Sequence, residues 1–131
     1  MIRAYDKIYL DDAMKNLGEA MDYAANCCRI EMDSFLEMFI MSGYAEQFAV
    51  GNPKYVSGMS GTELVMDVLT KSGMDIDFPD PQIEYDYSPE YWCGWILAYY
   101  QWHTGRSFKE INKHITMSEI EKLYPTLHEA S

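Results

Sequence analysis

The stretch SPEYWCGWILAYYQWHTG, Ser88 to Gly105, decides the fold of this chain. Ser88 can cap a helix, Pro89 suits the first helical position because an N–H there has no partner, and Gly105 permits the left-handed turn that closes a helix. Between them Trp92, Trp95, Ile96, Tyr99, Tyr100 and His103 recur at spacings of three and four, while Cys93, Leu97 and Ala98 fill much of the remaining circumference. A helix apolar nearly all round belongs at the centre of a bundle, with others packed about it. Gly94 and Ala98, four apart, leave room for a neighbouring helix to come close.

Upstream, Leu10, Met14, Leu17, Met21, Ala24 and Cys28 step by four and three, with Asp11, Asp12, Lys15, Glu19 and Asp22 elsewhere on the wheel, which predicts an amphipathic helix from Tyr5 to Cys28. Ser34 with Glu37 reads as a capping box opening a second helix that runs to Val50, weakened at Gly43. Gly51 to Gly61 is rich in turn formers and reads as a loop. Ser60 with Glu63 opens a third helix ended by Gly73. After Gly105, the pairs Ser107 with Glu110 and Thr116 with Glu119 open two short helices whose inward face is Phe108, Ile111, Ile115, Ile120, Leu123 and Leu127. The fold class expected is all-α, a single compact domain spanning 1–131, with about six helices around a central aromatic helix at about 89–104.

The 131 residues are enough to bury a core, and 48% hydrophobic with 15% aromatic content sets the chain apart from disordered sequences. Twenty-one acids against ten bases give a net charge of −11. That field disfavours phosphate backbones and anionic membranes and favours solubility or a basic partner. No stretch offers eighteen consecutive apolar residues, and the N-terminus lacks a secretory apolar run, so a cytoplasmic protein is expected. Cys27, Cys28 and Cys93 are odd in number, two of them adjacent, and imply no disulfide framework.

Motifs for chemistry are sparse. His103, His114 and His128 are far apart, and neither H-E-x-x-H nor C-x-x-C occurs, so no metal or other cofactor is expected. Asp75, Asp77 and Asp80 resemble the start of a calcium loop, but Asp80 stands where glycine is needed and prolines interrupt. Cys93 and His103 lie about 15 Å apart along one helix, too far for a nucleophile and its base. Arg106, Lys109 and Lys113 share one side of a short helix, yet Glu110, Glu119 and Glu121 accompany them, which favours a solvated face over direct nucleic-acid binding. No catalytic residues are assigned.

Asp75 to Glu90 is different in kind, with six acids, no base, three of the five prolines, and Phe78, Tyr85 and Tyr87. Carboxylates pair with Arg or Lys while rings bury area, so Asp80, Glu84, Tyr85, Asp86, Tyr87 and Glu90 are the candidate partner-binding residues. The same aromatics would serve equally to tuck a crossing loop into the core. Tyr99, Tyr100, Trp102 and His103 form a candidate pocket at an exposed end of the aromatic helix, the basis for an alternative reading as a small-molecule binder or enzyme. A third reading, an acidic mimic of nucleic acid, needs longer rows of acids than the chain has.

The segments WILAYYQWHTGRSFKEI and EIEKLYPTLHEAS carry a pattern of Tyr99, Tyr100 and Trp102, then Ser107, Phe108 and Ile111, then Leu123, Tyr124, Thr126, Leu127, His128, Glu129 and Ala130. In this the chain resembles a group of small acidic proteins of gut-dwelling Gram-positive anaerobic bacteria, well over its last forty or so residues and loosely before them. The resemblance implies genes neighbouring ADP-ribosyltransferase-like toxin candidates, and an antitoxin-like or accessory role exerted through a protein partner. It carries no catalytic residues with it.

Overall fold

Ser88 Oγ accepts a hydrogen bond from Tyr91 N at 3.0 Å, and Pro89 follows as the first residue of a sixteen-residue helix, α6 (Pro89–Thr104), which ends where Gly105 turns to φ +71. The computed structural model that places it describes residues 3–82 and 87–124. Among these the chain is all helical, with α1 (Leu10–Asp22), α2 (Met32–Met41), α3 (Tyr44–Ala49), α4 (Pro53–Val56), α5 (Gly61–Lys71), α6, α7 (Phe108–His114) and α8 (Met117–Lys122) around one core.

α6 lies antiparallel to α1 along most of its length. Ala4 N bonds to Trp102 O, Gly94 meets Leu17 and Gly18, and Ser88 bonds to Asp22, so one chain index rises as the other falls. The approach is close because Gly18 and Gly94 present backbone where side chains would stand. α5 crosses α1 in the same way through Gly61, set against Asn16 and Ala20. Behind them Phe39 packs on Phe35, Phe48 and Phe108 at ring separations of 6.1, 5.8 and 5.3 Å, joining α2, α3 and α7. Each such ring, fully buried, contributes about 1.5–3 kcal/mol relative to exposure.

Several sequence expectations are corrected. The first helix is shorter than Tyr5 to Cys28: a 3₁₀ turn (Lys7–Tyr9) precedes α1, and after Asp22 the backbone widens into a π turn (Tyr23–Cys27), with Cys28 N bonding to Tyr23 O five residues back. Arg29, at φ 59, closes it in the left-handed conformation usually left to glycine. Ser34 is no cap, because α2 already starts at Met32, two residues earlier. Nor does that helix run to Val50. Gly43, at φ +87, separates α2 from α3. The loop expected at 51–61 contains the short α4, capped by Asn52 with Pro53 at its start. The cap at Ser107 and the capping boxes at Ser60 and Thr116 form where expected.

α6 is central but not enclosed. Cys93, Gly94, Leu97, Ala98, Gln101 and Trp102 are buried, whereas Trp95, Tyr99 and Tyr100 are exposed on its outer side. Trp102, expected at an exposed end, is only 7% exposed: its Nε1 donates to Tyr5 O at 2.7 Å, and the Arg3 guanidinium lies over its ring. Gln101 is equally interior, donating from Nε2 to Arg106 O and Ala49 O.

Candidate functional site

α1 carries its acids on the face away from the core, and two of them, Glu19 and Asp22, stand one turn apart on the same side. The π turn and the segment entering α6 rise beside them to form a cleft of about 250 Å³. Glu19 holds the start of α5, its Oε1 accepting from Thr62 N at 3.1 Å and from Thr62 Oγ1 at 2.9 Å. Asp22 holds the start of α6, its Oδ1 accepting from Ser88 Oγ at 2.5 Å and from Asn26 Nδ2 at 2.8 Å. All these donors are neutral. Among the described residues neither carboxylate is ion-paired, and both are fixed in place by these bonds. Lys15 lies at the rim.

The remaining walls are aromatic. Tyr87, 71% exposed, stacks on Tyr91 with ring centroids 4.1 Å apart and planes within 10°. Burial, reinforced by Tyr87 and Glu19, pushes the Tyr91 hydroxyl up to about 12. Tyr23 is buried beneath the cleft and donates to Pro79 O at 2.6 Å, which ties the acidic segment to the π turn that follows α1. Burial first, then Cys28, Cys27 and Asp80, raise its hydroxyl to about 12. Ile76 and Phe78 complete the tie by packing on the core. Cys27 also faces the cleft, half-buried.

Of the residues expected to bind a partner, Asp80 and Tyr87 are exposed on this segment, and Tyr87 is part of the cleft. Glu84, Tyr85 and Asp86 lie outside the described residues. Glu90 is half-buried and turned another way, accepting from Asn26 Nδ2 at 2.8 Å. There it confronts Glu121 of α8, whose carboxyl is held above the ordinary range by burial, by its hydrogen bond with Glu90, and by repulsion from Glu90 and Asp33.

The four residues of the candidate pocket are not brought to one cavity. Tyr100 lines an apolar groove of about 300 Å³ with Trp92, Ile96, Ile111, His114 and Leu123. Tyr99 instead stacks on His103 at 5.8 Å, and Trp102 faces inward. Arg106, Lys109 and Lys113 are exposed, and no three His, Cys, Asp or Glu among the described residues are grouped to hold a metal.

Glu19, Asp22 and Tyr91 were not legible as site residues. Their only signals are the spacing of three between the two acids, which any solvated helix face shows, and the spacing of four between Tyr87 and Tyr91; nothing local links the acids to either ring. Comparison with family models, characterised proteins and solved structures finds no match for this chain.

Proposed function

We propose that this chain is a non-enzymatic interaction module that docks a basic protein partner through the α1–α6 cleft and the acidic segment beside it. The observation that carries this reading is the pair of carboxylates, Glu19 and Asp22, held by neutral donors and set against the stacked rings of Tyr87 and Tyr91. Carboxylates fixed by neutral donors lose little entropy when a cation arrives, and exposed rings beside them supply contact area. The net charge of −11 speeds encounter with a positive surface. A toxin-like enzyme with such a surface is the partner nominated by the sequence resemblance, and occlusion by protein contact is the mode of action.

The test is a pull-down from the native host at low and high salt, followed by reconstitution of each co-purifying protein from purified components. A basic protein binding one to one, with affinity falling steeply as salt rises, supports the reading. Recovery of the chain alone under both conditions overturns it.

A second reading rests on the groove beside Tyr100, where an apolar lining carries two polar handles, the Tyr100 hydroxyl and the His114 imidazole. Such a lining suits a small apolar ligand. Quenching of Trp92 fluorescence by a metabolite panel, lost in Tyr100→Ala, favours this reading; an unchanged spectrum removes it.

A further inference from the structure

We infer that the α1–α6 cleft recognises the guanidinium of an arginine side chain in preference to a lysine ammonium. The inference rests on the reading of the chain as a partner-binding module and assigns the chemistry that module reads.

Three features select the ligand. Glu19 and Asp22 are three residues apart on one helix, which places their Cβ atoms about 5–6 Å apart. A planar guanidinium with five donors in a fixed fork reaches two acceptors so spaced, whereas an ammonium is a compact point charge that gives up a tighter hydration shell. Each carboxylate is already oriented through one oxygen, Oε1 of Glu19 and Oδ1 of Asp22, leaving the other oxygen of each to a ligand. The second feature is the flat face of the Tyr87–Tyr91 stack, on which a guanidinium stacks plane against plane, whereas an ammonium makes only a point-charge contact such as Lys54 makes with Tyr55. The third is what the cleft lacks. Among the described residues the Tyr23 hydroxyl is already committed to Pro79 O, so that part of the floor offers a ring and no free donor to a ligand that needs to accept hydrogen bonds. A volume of about 250 Å³ admits one side chain and no folded element.

The experiment titrates Nα-acetyl-arginine methylamide, and its lysine and citrulline counterparts, into the isotopically labelled full chain while amide shifts are followed. The arginine compound is expected to shift Asp22, Tyr23, Thr62 and Tyr91 and to bind about fivefold tighter than the lysine compound, with citrulline, which keeps the shape and loses the charge, producing no saturable shift. The double variant Glu19→Gln and Asp22→Asn retains both acceptors for Thr62 and Ser88 and is expected to weaken binding about tenfold. Tyr87→Ala, at an exposed position, is the second variant and is expected to weaken it without loss of helical circular dichroism. Equal or tighter binding of lysine, equal binding of citrulline, or shifts confined to other residues would each overturn the inference. The two readings fail separately. A salt-sensitive partner still bound by the double variant leaves the interaction module standing and removes the arginine site; arginine binding with no basic partner ever retained does the reverse.

Discussion

The Cα of Gly18 in α1 lies 2.9 Å from where a side chain on Gly94 of α6 would begin, and the carbonyl oxygen of Leu17 lies nearer still, at 2.3 Å. Contact between two helix backbones at this point fixes the separation of the elements that bear Glu19, Asp22 and Tyr91. Gly94→Ala therefore forces α1 and α6 apart. Overpacking of this kind costs about 1–3 kcal/mol, against which the better helix propensity of alanine returns at most about 1 kcal/mol. Urea unfolding is expected to give a lower midpoint, and the arginine titration a weaker cleft.

Asp33 of α2 accepts from Met117 N at 2.7 Å and from Ser118 N at 3.3 Å, capping α8 from a different helix. Asp33→Ala is expected to destabilise the protein by about 1–2 kcal/mol, as loss of a cap does, while Asp33→Asn loses less. Thermal unfolding of the two variants checks the order.

Glu121 holds its proton more tightly when folded than its ordinary value of 4.5 allows, through burial, then its hydrogen bond with Glu90 and the charges of Glu90 and Asp33. Because its folded pKa is the raised one, its contribution to stability is full below that ordinary value and is lost as pH rises through the raised one. The wild-type melting temperature is expected to fall as pH rises above 4.5. Glu121→Gln should flatten that slope and melt higher than wild type at pH 7; an identical slope would remove Glu121 as its source.

Cys93 is buried, and burial, followed by the charges of Glu121 and Glu90, pushes its thiol up to about 12. Cys28 is raised by burial as well, while Cys27 opens onto the cleft. Iodoacetamide at pH 8 is expected to label Cys27 first and Cys93 only after unfolding, since the thiolate is the nucleophile. Mass spectrometry of the labelled peptides gives the order, and an arginine ligand in the cleft should slow the first of them.

Arg29 stands at φ 59, where an L side chain costs about 1–2 kcal/mol. Arg29→Gly is expected to stabilise the protein by about 0.5–1 kcal/mol once the greater freedom of glycine in the unfolded chain is deducted. Differential scanning calorimetry measures it.

What the sequence disclosed was what neighbours in the chain decide together. Ser60, Ser88 and Thr116 cap helices because the groups they satisfy lie three residues away, and the spacing of four between Gly94 and Ala98 anticipated a close helix crossing. Asp33 was opaque for the opposite reason, since its partners are 84 and 85 residues distant. Ser34 imitates a cap, yet Glu31 and Met32 have already begun that helix. Trp102 looked terminal by position but is covered by Tyr5 and Arg3, almost a hundred residues away. The cleft is hidden in the same way, because Asp22 and Ser88 meet across 66 residues.

That last separation has a consequence for synthesis. α1 leaves the ribosome with its apolar stripe complete, but the face it needs is α6, whose last residue is Thr104. At about 5–20 residues per second the stripe waits roughly 4–16 s for its cover. The acidic residues that point outward on α1 keep the waiting segment soluble in that interval, and in the finished protein two of them, Glu19 and Asp22, line the cleft.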